Sequence, residues 1–169
     1  MIDKDILFLF AELAVALAGF STVIGVLSSR KDTTDLKVNA LRLQVMLETC
    51  FMVAAAALIP ALLEKFDLGQ SAIWRVASGF FLCMAIPFEF VAQNRAKNMP
   101  NMTLSKFNVN TINWALTLCA DLLLVAILIN VLSAWSDALY FVALFFQLAL
   151  AGILFVQFAA NMFARADRD

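Results

Sequence analysis

The sequence predicts an all-α fold, a polytopic transmembrane helical bundle of five spans, and two observations lead to this prediction. Of the 169 residues, 63% are hydrophobic and 15% are charged, whereas an average soluble domain has roughly 45–50% and 25%. A spanning helix takes about 20 residues, so five spans leave only short connections and tails. We therefore expect a single transmembrane domain over residues 1–169, without a separate soluble domain.

Uninterrupted apolar runs predict where the spans lie. They are Ile6–Leu27, Leu41–Leu63, Ala72–Gln93, Ile112–Leu132 and Ala138–Met162. Four polar segments separate the spans. They are a turn at Ser28–Ala40, a short connection at Glu64–Ser71, a longer stretch at Asn94–Thr111 and a tight turn at Ser133–Asp137. None of these segments is long enough to fold alone.

Lysine and arginine predict the orientation of the spans. Five spans place the N-terminus on a side with three basic residues, Lys4, Lys65 and Arg75. The other side has the remaining basic residues, which are Arg30, Lys31, Lys37, Arg42, Arg95, Lys97, Lys106, Arg165 and Arg168. Because cytoplasmic loops are enriched in basic residues, we expect the N-terminus outside and the C-terminus in the cytoplasm. The predicted location is a plasma membrane of the bacterial inner-membrane type, with multiple passes through the lipid bilayer.

Tryptophan and tyrosine support this arrangement, because both residues favour the two interfaces of a bilayer. Trp74, Trp135 and Tyr140 fall at the outer ends of predicted spans, and Trp114 falls at an inner end. We therefore expect these four side chains at the level of the lipid headgroups.

Composition also excludes several function classes. The chain has no histidine, which removes imidazole ligation of haem, most catalytic zinc sites and the commonest general base. Its five glycines form no phosphate-binding turn. Cys50, Cys83 and Cys119 lie at similar predicted depths but show no C-x-x-C spacing, so no metal site is predicted. We expect no enzyme activity, no cofactor and no nucleic-acid partner.

Two carboxyl groups, Glu48 and Asp121, are the most informative polar residues. Counted at 1.5 Å per residue, they lie about 10 Å and about 13 Å from the inner boundary of the second and fourth spans. No basic residue within the spans shares this depth. A carboxyl there must be protonated, hydrogen-bonded, hydrated or bound to a cation, because an isolated carboxylate is costly to bury. The two acids therefore predict a proton relay or a cation site.

Polar residues at helical spacing extend this predicted site. One face of the third span carries Arg75, Ser78, Ala85, Glu89 and Gln93, with Leu82 interrupting it. The predicted ion or proton site consists of Glu48, Asp121, Asn113, Thr117 and Gln44. The predicted cytoplasmic mouth consists of Glu89, Gln93 and Asn110. The alternative is that these groups only hydrogen-bond one another and hold the helices together.

Glu12 and Arg75 predict an intramembrane ion pair. They lie about 9 Å and about 5 Å below the outer boundary on the first and third spans. A glutamate has a short stem and reaches water less easily than an arginine does, which favours the pair. The alternative is that each side chain extends to its own interface.

Small residues form a seam along the first span, and they permit a close approach of another backbone. They are Ala11, Ala14, Ala18, Ser21, Gly25 and Ser28. The spacing predicts a packing face but leaves open whether the neighbour is another span or another copy of the chain. We expect a homo-oligomer, because several copies around an axis form a continuous pore more easily than five helices do.

Two functions follow from these observations. The first is ion or proton permeation by a small oligomeric bundle with intramembrane carboxylates. The alternative is a membrane-embedded interaction, accessory or sensor subunit without transport activity, whose polar residues specify assembly with a membrane protein partner.

Overall fold

The computed structural model describes residues 4–28, 33–97, 122–132 and 137–166, and these residues are helical except at 67–69. The elements are α1 (Lys4–Ser28), α2 (Thr33–Leu63), a 3-10 turn (Glu64–Phe66), α3 (Gln70–Lys97), α4 (Leu122–Leu132) and α5 (Asp137–Ala166). The all-α prediction is therefore confirmed.

Four of these helices are long and apolar enough to cross a membrane. The apolar windows are Lys4–Val26, Leu43–Phe66, Gln70–Val91 and Asp137–Val156, and each overlaps a predicted span. The fourth predicted span, Ile112–Leu132, is described only over α4, and its remainder lies outside the described residues. The predicted orientation stays a prediction.

Two helices, α2 and α3, extend by several residues into the longer segments that were predicted to be polar connections. The segment Ser28–Ala40 was predicted to be a turn, but α2 already begins at Thr33. Likewise, α3 continues to Lys97, into the predicted polar stretch Asn94–Thr111. Neither extension contains a glycine or proline that would interrupt helical hydrogen bonding. Hydropathy therefore marked the limits of the apolar layer, whereas the helices themselves run beyond those limits.

Prolines occur inside two of the long helices, Pro60 in α2 and Pro87 in α3. A proline has no N–H to donate to the carbonyl four residues before it. Spanning helices tolerate this loss when neighbouring groups satisfy the carbonyl. Beyond its proline, α2 continues to Leu63 and α3 continues to Lys97.

A compact connection joins α2 to α3. After the 3-10 turn, Asp67 adopts a left-handed conformation with φ of 52°, which is common where a helix ends. The carbonyl of Gly69 then accepts hydrogen bonds from the N–H groups of Ala72 at 2.8 Å and Ile73 at 3.1 Å. This connection lies within the predicted segment Glu64–Ser71.

The described residues form two compact units. The first unit contains α1, α2, the 3-10 turn and α5 from Leu144 onward. The second unit contains α3, α4 and the beginning of α5 up to Ala143.

In the first unit, α1 and α2 pack along the predicted small-residue seam. Ala14 and Ser21 are fully buried and Ala18 is nearly so. The Ser21 hydroxyl donates to the Met46 sulfur of α2 at 3.4 Å. A Cβ added to Gly25 would overlap the side chain of Leu43 on α2. The neighbour left open by the sequence is therefore α2 of the same chain.

The two ends of this α1–α2 pair meet through charged side chains. The Lys4 ammonium at the start of α1 lies 2.7 Å from the Glu64 carboxylate just after α2. This contact brings the N-terminus of one helix to the C-terminus of the other, so the two helices run antiparallel.

In the second unit, aromatic rings connect α3 to the beginning of α5. The Trp74 ring centroid lies 5.6 Å from that of Tyr140 and 5.7 Å from that of Phe141. The Phe81 ring centroid lies 6.2 Å from that of Tyr140. Trp74, Phe81 and Tyr140 are buried. Trp74 and Tyr140 thus pack inside the protein, and their level at the lipid headgroups stays a prediction.

Candidate intramembrane carboxyl site

Glu48 lies within the apolar window of α2, and a neighbouring side chain on the same helix contacts it. Gln44, one turn earlier, donates from its Nε2 to the Glu48 Oε1 at 2.8 Å. The spacing of four residues places both side chains on one helical face. The Glu48 side chain is half-buried and that of Gln44 is exposed.

The surroundings of Glu48 on α2 are asymmetric. Met46, Thr49 and Cys50 are buried, and the Thr49 hydroxyl donates to the backbone carbonyl of Val45 at 2.8 Å. The hydroxyl of Thr49 is thus used within its own helix. The amide of Gln44 and the carboxyl of Glu48 lie on a more exposed side of α2.

The Gln44–Glu48 pair contains carboxyl and amide oxygen atoms as acceptors and the Gln44 amide nitrogen as a donor. The amide N–H groups stabilise a carboxylate by hydrogen bonding, and the amide carbonyl oxygen is a second acceptor. Such a group of atoms can hold a proton or contribute oxygen ligands to a cation.

Several predicted site residues lie outside the described residues. These are Asp121, Asn110, Asn113 and Thr117. Gln93 belongs to α3, and Glu89 is half-buried on the same helix in the second unit. The roles of all these residues in an ion site therefore stay predictions.

The predicted polar face of α3 divides into an exposed and a buried part. Arg75 is exposed, whereas Ser78 and Ala85 are buried together with the apolar Leu82. The Ser78 hydroxyl accepts a hydrogen bond from the Asn130 side-chain amide of α4 at 3.1 Å. For Ser78, the contact is of the interhelical kind that was the alternative to a polar vestibule.

Asn130 is a buried polar residue that the sequence analysis missed. It is fully buried on α4. The signal was nevertheless available, because a lone amide in the apolar run Leu122–Leu132 is costly in lipid unless another group satisfies it.

Removing this hydrogen bond should cost a modest amount of stability. In a double-mutant cycle with Ser78→Ala and Asn130→Ala, we expect a coupling of about 0.6 kcal/mol, with an upper value of about 1.7 kcal/mol. The free energy of unfolding in mixed micelles measures it. Strictly additive losses would mean that the two side chains do not stabilise each other.

Glu12 and Arg75 lie in different units, Glu12 on α1 and Arg75 on α3. Both side chains are exposed on their helices. The predicted ion pair within one chain stays a prediction.

The three cysteines were not expected to bind a metal. Cys50 is buried on α2 and Cys83 is exposed on α3, while Cys119 lies outside the described residues. Over the described ranges, no three histidine, cysteine, aspartate or glutamate side chains are grouped closely enough to hold a metal ion.

The described helices are compatible with a small multi-pass integral membrane protein. Their length and apolar composition support that level of description, and the sequence motifs add no narrower class. No protein-family model, curated protein or solved structure matches this chain.

Proposed function

We propose that the protein is a membrane permeation protein that binds and passes a proton or a small monovalent cation at Glu48. The observation that carries this proposal is the hydrogen bond from Gln44 to the Glu48 carboxyl within the apolar window of α2. The sequence prediction adds Asp121, Asn113 and Thr117 of the predicted fourth span to this proposal.

The depth of Glu48 supports a functional role for its carboxyl. Glu48 follows the start of the apolar window at Leu43 by five residues, which is about 8 Å along the helix axis. A carboxyl at such a depth is costly, and intramembrane acids commonly mark proton or ion pathways. An uncharged amide could hold two helices together at a lower cost, as Asn130 does with Ser78. The carboxyl is therefore better explained by its capacity to exchange a proton or a cation.

A single carboxyl and one amide oxygen are enough for the proposed permeating species. Glu48 supplies the carboxyl, and Gln44 supplies the amide oxygen. A proton needs one carboxyl oxygen, and a weakly held monovalent cation can keep part of its water. These two are therefore the proposed permeating species.

The exposed amide of Gln44 supports a route to Glu48. Because Gln44 is exposed and precedes Glu48 by one turn toward the start of α2, the polar approach comes from the predicted cytoplasmic side. The predicted cytoplasmic mouth, which consists of Glu89, Gln93 and Asn110, belongs to the same predicted side.

Purified protein in liposomes with a pH-sensitive dye inside tests this function. An imposed proton or potassium gradient should collapse faster than in protein-free liposomes. Glu48→Gln keeps the size of the side chain but removes the titratable group, so we expect a loss of flux of about tenfold or more. The double variant Glu48→Gln with Asp121→Asn should be at least as impaired.

Glu64→Gln is the matched control, because it makes the same change at an ion pair outside the proposed site. Its flux per copy should equal that of the wild-type protein. Unchanged flux in the double variant would remove Glu48 and Asp121 as the site. If wild-type liposomes hold their gradients and a specific membrane protein co-purifies, the interaction or sensor function replaces permeation.

A further inference from the structure

Two exposed helix faces carry one charge each, of opposite sign, at nearly the same predicted depth. We infer that copies of this chain associate with α1 of one copy against α3 of the next, so that Glu12 pairs with Arg75 of the second copy. This interface goes beyond the proposed permeation and does not depend on the role of Glu48.

The Glu12 face lies more than a third of a turn round α1 from the seam that packs against α2, with Gly19 at the rim of the groove between the two helices. It is defined by Phe8, Glu12, Ala16, Gly19 and Val23, which recur at helical spacing and are all exposed. A Cβ built on Gly19 meets no atom within 4 Å. The face therefore combines one acidic group with small residues that leave room for another backbone.

The Arg75 face of α3 likewise combines one charged residue with a glycine. It is defined by Arg75, Gly79, Cys83, Ile86 and Phe90, of which Gly79 is half-buried and the others are exposed. A Cβ built on Gly79 also meets nothing within 4 Å. Here a basic group is followed, one turn deeper, by a residue without a side chain.

The two faces match in register. The predicted order of the spans gives α1 and α3 the same direction across the bilayer. Glu12 lies about 12 Å along α1 from Lys4, and Arg75 lies about 8 Å along α3 from Gln70. The long arginine side chain can span the difference between these two positions. With these charges paired, Ala16 stands opposite Gly79 one turn deeper. Small residues at facing positions allow spanning helices to approach closely.

The charges on these faces lack partners of their own within each unit. Over the described residues of the first unit, the ion pair is that of Lys4 with Glu64, and Glu12 forms neither a hydrogen bond nor an ion pair there. The described residues of the second unit likewise offer Arg75 no ion pair. Because an isolated charge is costly in the apolar layer, a partner of opposite sign at the same depth lowers that cost.

Charge complementarity selects a second copy as the occupant. Each copy carries both faces, so the contact joins different surfaces of two identical chains. Such a heterologous contact repeats from copy to copy and closes into a ring when the rotation permits. Apolar residues on both faces, such as Val23 and Ile86, keep the remainder of the contact compatible with lipid.

Cysteine cross-linking between differently tagged chains tests the interface. In a background with Cys50, Cys83 and Cys119 replaced by alanine, one tagged chain carries Ala16→Cys and the other carries Gly79→Cys. Mild oxidation in membranes should give a mixed dimer, because a disulfide requires Cα atoms within about 7 Å of each other. Leu13→Cys in place of Ala16→Cys is the control, since Leu13 is exposed to one side of the Glu12 face.

A charge swap tests the pairing of Glu12 with Arg75. Glu12→Arg should lower the yield of mixed dimer by about tenfold, and Arg75→Glu should do the same. Glu12→Arg combined with Arg75→Glu in every chain should restore it. These three variants also show by their helical circular dichroism whether the fold is retained.

Three results would overturn the inference. The first is a mixed dimer that forms equally well with Leu13→Cys. The second is the absence of a mixed dimer from chains that are folded and present in the same membrane. The third is a single chain carrying Ala16→Cys and Gly79→Cys that cross-links within itself, which would place the Glu12–Arg75 pair inside one copy.

Discussion

Replacing Tyr140 by alanine should lower the free energy of unfolding by about 2–3 kcal/mol. The ring is fully buried and contacts Trp74 and Phe81. Removing it deletes roughly 100 Å³ of side chain at about 24 cal/mol per Å³ of residual cavity. The transfer contribution known from soluble proteins is small here, because an unpacked helix remains in an apolar phase.

Tyr140→Phe is the control for this loss, because it keeps the ring and removes the hydroxyl. We expect the phenylalanine variant to lose at most about half as much stability as the alanine variant. Titration of the micellar protein with a denaturing detergent, followed by tryptophan fluorescence, measures both. Equal losses in the two variants would show that the hydroxyl, and not ring packing, stabilises the second unit.

Replacing Ala14 by leucine should destabilise the α1–α2 pair by about 1–3 kcal/mol, with a larger loss if the helices separate. Ala14 is fully buried on the face of α1 that packs against α2. The larger side chain must fit between α1 and α2, where Ala14 and Ala18 line a groove with Leu47 and Cys50, and we expect it to weaken contacts along the seam, including the one from Ser21 to Met46. Detergent titration again gives the free energy of unfolding.

Ala16→Leu is the matched control, because it makes the same substitution half a turn further round α1, where the residue is exposed. It should leave the unfolding of the isolated chain nearly unchanged. In membranes it should nevertheless reduce association between copies, since Ala16 lies on the Glu12 face. A stability loss in Ala16→Leu equal to that in Ala14→Leu would mean that α1 is packed on both sides within one copy.

Those parts of the fold that depend on local patterns could be predicted from the sequence. Apolar runs marked the spanning helices, and the spacing of small residues identified the buried side of α1. The partner of that side could not be predicted, because spacing on one helix contains no information about its neighbour. The helical extension from Thr33 to Ala40 was also missed, since polarity alone does not end a helix.

In the candidate site, too, contacts within one helix could be predicted and contacts between helices could not. The contact between Gln44 and Glu48 follows from their separation by one turn, which is a property of one helix. The hydrogen bond from Asn130 to Ser78 joins residues that are 52 positions apart. No periodicity connects such a pair, although the cost of an unsatisfied amide in lipid marks Asn130 as a residue in need of a partner.

The unbroken course of α2 has a mechanical consequence. Between Thr33 and Glu48 the helix contains neither glycine nor proline, so this stretch behaves as a stiff rod of about 22 Å. A force applied at its polar end, by a bound molecule or by the bilayer surface, meets no residue at which the helix bends easily. Such a force therefore rotates or displaces the stretch as one body and moves the Glu48 carboxyl with it.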